Sequence, residues 1–440
     1  MISTDFAPNE SWDDALLSLK LLFQPWKWKS GNEVEKLKKT LSSIFQLPSS
    51  NFHLFLSGRS ALYYLLKSFN LSPGSEVLIQ AFTCEAVVLP ILANDLKPIY
   101  LDIESEAYSM DFNSLTRKLA GPSKPEGRSG VNRKTNLTKV LILQHTFGLT
   151  PKDRDQILKL AKDRGLIVIE DLAHGFNPSI FKSSNIQHLT SNFYLLSFGR
   201  SKMLSSVFGG AIISSNRVIS KLANQLTYPP YWFIFRCLLY KPLTMLIKST
   251  YDFYVGKVFH KILNEFGLLI PEITAKEKSG DYDKLFNKAY PNALSMLLLH
   301  QLKKFDLVKE QRAKICNYYD RVILRAKPEG SLANARISNK LRDSSSAVHR
   351  TQNDSNILIR YPLLVDNRDE ILTKARKQNI FLGVWYDQVV APKDLDTSRV
   401  GYIPGSCPKA EEICQKIINL ATNISINEAE RVLNTLADVK

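Results

Sequence analysis

The sequence predicts an α/β protein with a mostly parallel sheet that is covered by helices on both faces. Strand-like apolar runs alternate with helical patterns along the first half of the chain. These runs are continuous in Val, Ile and Leu, which is typical of parallel strands buried on both faces. Several runs end in polar or acidic residues, and ligands of such sheets bind beyond the carboxyl ends of the strands.

Length and composition narrow the classes of function. The 440 residues can bury a large core and favour two or three domains, and the hydrophobic content of 44% is typical of globular proteins. The formal net charge of +16 at pH 7 indicates an anionic partner: a phosphorylated substrate, a nucleic acid or an acidic membrane. Because the positive charge is spread along the chain and no nucleic-acid-binding signature is present, nucleic acid is disfavoured.

The cysteines and the N-terminus indicate the compartment. The five cysteines are scattered and form no CxxC pair, which argues against a zinc site or a disulfide framework. The first ten residues contain no basic region followed by an apolar stretch, so they predict no secretory signal. We therefore expect a cytoplasmic protein without a bound metal.

The elements of the first half follow from these patterns in chain order. A helix is expected over residues 33–47, a strand over 52–56 and a helix from residue 61. Further strands are expected over residues 76–79, 98–101, 140–143, 166–169, 192–196 and 211–213. Helices are expected over residues 84–93 and 152–164.

Three stretches interrupt this alternation. Residues 120–138 and 332–356 are polar and predict surface loops. Residues 226–271 are rich in aromatic side chains, but no run approaches the ~20 apolar residues that a membrane span needs. This stretch predicts a helical subdomain that packs on the core or on a partner subunit. The alternative is an interfacial surface that docks on an anionic membrane.

The last third predicts a smaller α+β domain. A long helix is expected over residues 292–326, followed by a strand over 357–365, a helix over 368–378, a short strand over 380–384 and a helix over 428–436. The expected organisation is a large domain over residues 1–225, an aromatic-rich helical insertion over 226–283, and a linking helix with the small domain over 284–440.

Lys202 is the first candidate for chemistry. It lies in a polar turn that is closed by glycines, between two predicted strands. Desolvation at such a place favours the free amine, which attacks carbonyl groups to form Schiff bases.

Polar residues at neighbouring strand ends extend this site. Asp171 follows a predicted buried strand and can hold a pyridinium nitrogen protonated, or it can cap a helix. His174 lies on the same side if the segment after Asp171 turns helically. The hydroxyl of Ser197 can donate to a phosphate or bond its own backbone. The turn at Ser57-Gly58-Arg59-Ser60, between a strand and a helix start, exposes backbone N–H groups that bind anions.

Six motifs in order make the chain resemble the DegT/DnrJ/EryC1/StrS sugar aminotransferases, which are fold-type I enzymes that use pyridoxal phosphate. The similar segments are residues 57–62 (SGT-x-AL), 74–83 (GDEVI…FT), 98–102 (PVFVD), 145–148 (H-x-x-G), 169–174 (IED-x-A-[QH]) and 197–210 (SF-x-x-x-K…GG). Any one of these motifs is weak, but six in order are specific. The resemblance covers about residues 25–440 apart from the three interrupting stretches.

The resemblance implies the roles of individual residues. Lys202 would be the catalytic residue that forms the Schiff base and then moves a proton. Asp171 would pair with the pyridine nitrogen, and His174 would contact the phenolic oxygen. The complete set of implied cofactor-binding residues is Gly58, Arg59, Ser60, Cys84, Asp171, His174, Ser197, Lys202 and Asn287. Asn287 would act across the interface of a homodimer, so each site would be shared between two subunits.

Three positions depart from the family pattern. Arg59 replaces a small Thr or Ser and is expected to bind the phosphate bidentately. Cys84 stands where many members place a stacking aromatic residue, so Phe82 or another ring would have to substitute. Arg200 adds a positive charge beside Lys202, which would favour the neutral amine. These departures bear on the substrate more than on the cofactor.

The implied function is transfer of an amino group, expected from glutamate, to a keto-sugar that is attached to a nucleotide, in polysaccharide or glycan biosynthesis. One alternative is another sugar-modifying reaction of the same cofactor, such as dehydration, against which the retained Lys202 counts. A second alternative is a degenerate member that binds ligand without turnover. The expected partners are the sugar substrate, the amino donor, a second subunit and, through residues 226–271, the inner face of a membrane.

Overall fold

The computed structural model describes residues 1–120, 137–181, 193–324 and 357–437. The strands in these residues are β1 (Ile2–Ser3), β2 (Phe52–Phe55), β3 (Glu76–Gln80), β4 (Thr83–Cys84), β5 (Lys97–Leu101), β6 (Thr138–Gln144), β7 (Ile167–Asp171), β8 (Phe193–Ser197), β9 (Gly210–Ile213), β10 (Arg360–Leu364), β11 (Ile380–Phe381), β12 (Val390–Ala391) and β13 (Ile417–Ala421).

The α-helices of the same residues are α1 (Trp12–Leu22), α2 (Glu33–Phe45), α3 (Gly58–Ser68), α4 (Glu85–Leu92), α5 (Phe112–Ala120), α6 (Arg154–Asp163), α7 (Arg217–Asn224), α8 (Tyr231–Thr250), α9 (Val255–Glu265), α10 (Ala275–Lys278), α11 (Asn292–Lys303), α12 (Phe305–Leu324), α13 (Arg368–Lys377), α14 (Pro408–Lys416) and α15 (Ile426–Ala437).

A seven-stranded sheet forms the centre, in the order β2-β9-β8-β7-β6-β3-β5. Strands β8, β7, β6, β3 and β5 pair in parallel, and β9 runs antiparallel to both of its neighbours. The predicted α/β fold with a mostly parallel sheet is therefore confirmed.

Both faces of this sheet are buried, which explains the continuous apolar runs. Along β6, Leu141 and Leu143 pack into a cluster with residues of α5 and α6, whereas Val140 and Ile142 pack into the larger core on the opposite face. A strand that is covered on both sides needs apolar residues at every position.

The strand ends meet at one edge. Gln144 at the end of β6 pairs with Asp171 at the end of β7, and Ser197 at the end of β8 pairs with Gly210. A Cβ atom on Gly210 would lie 2.5 Å from the backbone of Ser57 and Gly58. Glycine at this position therefore lets the N-terminus of α3 lie directly against the sheet, beside Ser197.

The structure differs from the predicted elements in several places. The predicted helix over residues 292–326 is two helices, α11 and α12, because the chain turns at Lys304, whose amine bonds Asp13 and Asp14 at 2.8 Å. The strand expected over residues 380–384 is only β11, because the chain then turns towards the sheet edge. Residues 121–136, 192, 325–326 and 332–356 of the predicted elements lie outside the described residues.

The second half adds smaller layers. β10 and β13 form an antiparallel pair, and α13 packs on α15. The stretch that was predicted as a helical insertion contains α8, α9 and α10, and α8 packs along both α1 and α9. In the part of the chain that the structure describes, no helix combines the length and the apolar character that crossing a membrane requires.

Candidate active site

A cavity of about 550 Å³ opens at the carboxyl edge of the sheet. Its walls come from the strand ends, from residues of the predicted insertion, from the small C-terminal domain and from the N-terminal segment. The lining residues used below are Asp5, Gly58, Arg59, Cys84, Glu85, Gln144, Asp171, His174, Ser197, Arg200, Ser201, Lys202, Glu272, Trp385 and Tyr386.

Two adjacent carboxylates end strand β7 and point to different surroundings. Glu170 is buried outside the cavity, where Arg154 donates to it at 2.7 and 2.8 Å and His145 at 3.0 Å. Asp171 lines the cavity and accepts hydrogen bonds from the side chain of Gln144 at 3.3 Å and the backbone N–H of Ala173 at 2.9 Å.

The electrostatics of the two carboxylates differ accordingly. Burial alone would raise the pKa of Glu170, but His145 and Arg154 lower this pKa to about 2. Burial raises the pKa of Asp171 above its ordinary value, and the hydrogen bonds and the charge of Lys202 only partly oppose this. No basic side chain of the described residues forms an ion pair with Asp171. A cationic ring nitrogen in the cavity would supply the missing partner.

His174 is held in one orientation and one charge state. The backbone N–H of Phe147 donates to its Nδ1 at 3.2 Å, so the proton of the neutral ring belongs on Nε2, which lies 3.0 Å from the hydroxyl oxygen of Tyr386. Burial and the charges of Lys202 and Arg360 lower the pKa of His174 well below its ordinary value. The imidazole is therefore neutral at pH 7.

Trp385 covers His174 and Lys202. Its ring stacks on His174 with 5.0 Å between the ring centroids, and the Nζ of Lys202 lies 4.9 Å from the Trp385 ring centroid. On the same ring lies the guanidinium of the buried Arg360, which also forms an ion pair with Asp5. An aromatic side chain thus stands beside Lys202, although it comes from the small domain.

Gly58 and Ser197 form a small cup at the start of α3. A Cβ atom on Gly58 would lie 3.1 Å from the Oγ of Ser197, so glycine keeps the cup open. The N–H groups in the first turn of a helix have no partner within the helix and favour an anion. The N-terminus of α3 and the Ser197 hydroxyl therefore meet at the place where the sequence predicts an anion site.

The side chains of Ser60 and Arg59 do not point at the cup as the sequence predicts, and each bonds to other residues. The Ser60 hydroxyl is fully buried and bonds Ser57 in a helix-capping arrangement, so it supports the cup from behind and does not line the cavity. The Arg59 guanidinium forms an ion pair with the buried Glu277, lies 3.9 Å from Glu85 and donates to the carbonyl of Glu272 at 2.9 Å. We therefore correct the prediction that this guanidinium binds a phosphate bidentately, because acidic side chains already hold it.

Cys84 and Asn287 complete the predicted set. Cys84 lines the cavity, and burial raises the pKa of its thiol to about 11. Phe82 does not take the place of the missing aromatic residue, because it is buried against Tyr386 outside the cavity. Asn287 does not line the cavity of its own chain; the hydroxyl of Tyr282 donates to its Oδ1 at 2.5 Å.

Glu272 was not predicted from the sequence, and it lies close to Lys202. A Cβ atom on Gly199 would be 3.5 Å from the Oε1 of Glu272, 3.6 Å from the Cγ of Lys202 and 3.8 Å from the Oγ of Ser197. These three side chains therefore surround one small volume.

The partners of Glu272 keep it ionised. Ser201 donates to its Oε2 at 3.3 Å, and the Arg200 guanidinium lies 3.7 Å away. Burial alone would raise the pKa of Glu272, but the charges of Arg200, Lys202 and Arg59 lower it. Arg200 is turned towards this carboxylate and the carbonyl of Ile270, so its charge is largely balanced there and does not act on Lys202 alone.

The residues present fit a phosphorylated pyridine aldehyde. A lysine supplies an amine, and Asp171 supplies a buried carboxylate without a cationic partner. The open cup at Gly58 suits a phosphate, and the buried Oε1 of Gln144 has no hydrogen-bond partner among the described residues. Sequence reasoning missed Trp385, Tyr386, Glu272 and Gln144. Only Gln144, at the end of a predicted strand beside Asp171, carried a local signal.

Comparisons with known proteins agree with this geometry. The profile of the DegT/DnrJ/EryC1/StrS aminotransferase family matches residues 15–230 and 286–437. GDP-perosamine synthase of Escherichia coli O157:H7 is 26% identical over 194 residues, which are 44% of this chain and 48% of that protein. An uncharacterised protein of Methanocaldococcus jannaschii, MJ1066, is 24% identical over 84% of this chain and 81% of its own. The chain thus spans about half the length of the synthase.

Solved structures share the whole fold. Helicobacter pylori PseC, an aminotransferase involved in the biosynthesis of pseudoaminic acid, superposes with a TM-score of 0.66 at 16% identity and covers 98% of both chains. NtdA of Bacillus subtilis with bound PMP superposes with a TM-score of 0.61 at 18% identity, over 97% of this chain and 81% of that chain. At these identities the likeness establishes the fold.

Proposed function

The chain belongs to the DegT/DnrJ/EryC1/StrS aminotransferase family, and from this premise we propose that it moves an amino group from an amino acid to a keto-sugar in the cavity described above. One observation carries the proposal. Lys202, the unpaired Asp171 and the open cup at Gly58 and Ser197 line one cavity at the carboxyl edge of the sheet.

Pyridoxal phosphate is the cofactor of the family, and when bound it supplies an electron sink that stabilises negative charge on a neighbouring carbon. Asp171 would hold its ring nitrogen, because a buried carboxylate pairs with a cationic nitrogen. The first turn of α3 and the hydroxyl of Ser197 would hold its phosphate. Arg59 would contact the phosphate through its backbone at the start of α3, because its guanidinium pairs with Glu277.

The side chains that line the cavity would have different roles in the reaction. The Nζ of Lys202 would hold the cofactor at rest and, once released, would take the proton from the carbon that bears the donor amine. The same atom would give a proton to the sugar carbon in the second half of the reaction. Trp385 would shield Lys202 from water, and the neutral His174 donates its Nε2–H to the hydroxyl of Tyr386.

The substrate proposal draws on the named relatives. GDP-perosamine synthase and dTDP-4-amino-4,6-dideoxy-D-glucose transaminase carry nucleotide-linked sugars in their names. A Bacillus subtilis relative, 27% identical over half of this chain, is named 3-oxo-glucose-6-phosphate:glutamate aminotransferase. We therefore propose a nucleotide-linked keto-sugar as acceptor and glutamate as donor, within glycan biosynthesis.

Dehydration of a sugar is the second candidate. A 3-dehydratase of Saccharopolyspora spinosa is 24% identical over 45% of this chain. Lys202 argues against this reaction, since the resemblance assigns a histidine to that position in the dehydratases.

Assembly and location are separate proposals. We propose a homodimer in which Asn287 completes the cup of the partner, because Asn287 lies outside the cavity of its own chain. We propose a cytoplasmic location, where nucleotide sugars and glutamate are available.

Absorbance and turnover test the function. Purified protein mixed with pyridoxal phosphate is expected to show the absorbance of a lysine-bound cofactor, and Lys202→Ala is expected to abolish it. With glutamate and a panel of nucleotide-linked keto-sugars, the protein is expected to release 2-oxoglutarate. The matched control is Lys221→Ala, an exposed lysine on α7 that does not line the cavity. The proposal is wrong if the absorbance survives Lys202→Ala. Cofactor binding without 2-oxoglutarate release on any sugar would favour the ligand-binding alternative.

A further inference from the structure

Helix α1 exposes a row of large apolar side chains to solvent. Trp12, Leu16, Leu19 and Phe23 recur at the spacing of one helical face, and they are 53%, 63%, 43% and 74% exposed. The opposite face packs on the protein through Asp14, Ala15, Leu21 and Ser18, whose hydroxyl donates to the carbonyl of Leu238 at 2.6 Å. A surface helix usually has polar residues on its solvent side.

Helix α9 also exposes a row of apolar side chains. Val255, Val258, Ile262 and Phe266 follow one face and are 61%, 60%, 43% and 76% exposed. Just before the helix, Phe253 and Tyr254 are 77% and 70% exposed. Large apolar side chains on a free surface cost free energy in water, so two such faces in one chain indicate a covering partner.

Helix α8 packs along both α1 and α9 and so connects their exposed faces. Trp28 at the end of the α1 segment packs against Tyr231, with 5.9 Å between the ring centroids, and Trp232 stacks on Phe235 at 5.3 Å. Arg236, one turn later, bonds the carbonyl of Gly267, which follows Phe266. We call this surface the aromatic face; it consists of Trp12, Leu16, Leu19, Phe23, Trp26, Tyr231, Trp232, Phe253, Tyr254, Val255, Val258, Ile262 and Phe266.

Lysines lie among these aromatic side chains. Lys29 lies 4.2 Å from the ring centroid of Tyr231, and Lys257 lies 4.4 Å from that of Tyr254. Lys20, Lys27 and Lys261 are exposed on the same segments. The surface therefore combines protruding aromatic rings with positive charge, in a chain whose net charge is +16.

We propose that the aromatic face docks on an anionic lipid surface, with α1 and α9 lying in the plane of the membrane interface. Helices with Trp, Phe and Leu on one side and Lys at its border bind in this way, and each Lys or Arg adds attraction to anionic headgroups. The proposed surface is larger than residues 226–271, since Trp12, Leu16, Leu19, Phe23 and Trp26 come from α1 and the turn after it.

A second copy of the chain is the competing occupant, and the lysines argue against it. Interfaces between proteins are depleted of Lys, whereas anionic membranes favour it. In addition, Phe23, Trp26, Phe253, Tyr254 and Phe266 are each at least 70% exposed, so they project from the surface. Projecting rings insert between lipids without needing a matching recess.

Vesicle flotation of the full chain tests the proposal. Binding to phosphatidylcholine–phosphatidylglycerol vesicles is expected, with much weaker binding to phosphatidylcholine alone. The combined substitution Phe23→Ser, Trp26→Ser and Phe266→Ser is expected to lower the partition coefficient more than about a hundredfold, because three exposed aromatic rings no longer enter the lipid. Reversal of charge at Lys20, Lys27 and Lys261 to Glu is expected to lower it roughly a hundredfold.

Matched controls separate this surface from general stickiness. The apolar control combines Leu307→Ser with Ile403→Ser, which removes side chains that are 69% and 71% exposed elsewhere on the protein. The charge control reverses three exposed lysines elsewhere, by substituting Glu for Lys97, Lys314 and Lys377. Both controls should float like the unaltered protein. All variants should retain aminotransfer to a soluble sugar, because none of these residues lines the cavity.

Two outcomes would overturn the proposal. One is that the unaltered protein floats with neither type of vesicle. The other is that the aromatic substitutions leave flotation unchanged; if they also turn a dimer into a monomer in light scattering, the occupant is a second copy.

Discussion

The two walls of the cavity are positioned in different ways. The wall with Asp171, Ser197 and Lys202 is built from strand ends, whose places are set by the hydrogen-bonded register of the sheet. The facing wall, with Glu272, Trp385 and Asp5, comes from segments that are far apart in the sequence and meet only by packing. The first wall carries the groups that we propose to bind the cofactor. We therefore expect the second wall to decide the choice of substrate.

The largest effect is expected from a substitution in the wall that is built from strand ends. Asp171→Asn keeps the shape and removes the charge that would pair with the cofactor ring nitrogen, so we expect kcat to fall about 10²–10³-fold. Turnover and the absorbance of bound pyridoxal phosphate measure the change. Glu170→Gln is the matched control: it alters the neighbouring carboxylate, which faces Arg154 and not the cavity. The assignment of Asp171 is contradicted if both variants lose kcat equally.

A smaller effect is expected where the two walls join. Glu85 at the start of α4 lies 3.9 Å from Arg59, and burial, opposed by Arg59, raises the pKa of Glu85 to about 7. Its ordinary pKa is 4.5, so the protonated form is favoured in the folded protein. Stability from Glu85 is therefore complete below about pH 4.5 and is lost as the pH rises to about 7, by about 3 kcal/mol in total.

Glu85→Gln should remove this pH dependence. In urea unfolding, the variant is expected to gain stability relative to the unaltered protein between about pH 5 and about pH 8. Glu106→Gln, on a surface carboxylate that pairs with Lys152, serves as the control. A stability difference that stays constant across this range would contradict the raised pKa.

The smallest effect is expected from a substitution in the facing wall, and it tests whether this wall selects the substrate. Glu272→Gln removes the negative charge beside Lys202 and Arg200 and should raise KM for the sugar about tenfold, with kcat changed less. Steady-state kinetics with several sugars would also reveal a changed preference. Glu265→Gln, exposed on α9 of the same stretch, is the control. Equal effects on kcat and kcat/KM would move Glu272 into the chemistry itself.

The same contrast explains what the sequence could predict. Asp171, His174, Ser197 and Lys202 were found because strand, turn and helix patterns are local and parallel strands end at one edge. The acidic partners of Arg59 could not be found, since Glu277 lies more than two hundred positions away along the chain. Trp385 has no local pattern that distinguishes it from a core residue. The apolar residues of helix α1 recur at helical spacing, so the helix itself could have been predicted, but the outward direction of its apolar face could not.

The adjacent carboxylates at the end of β7 have a consequence for folding fidelity. Successive residues of a strand face opposite sides, so a shift of one position would turn Glu170 away from Arg154 and Asp171 away from the cavity. Arg154 would then lose the two hydrogen bonds that Glu170 accepts at 2.7 and 2.8 Å, or would meet the shorter side chain of Asp171 in its place. The pair therefore favours a single alignment of β7 during assembly of the sheet, and that alignment places Asp171 in the cavity.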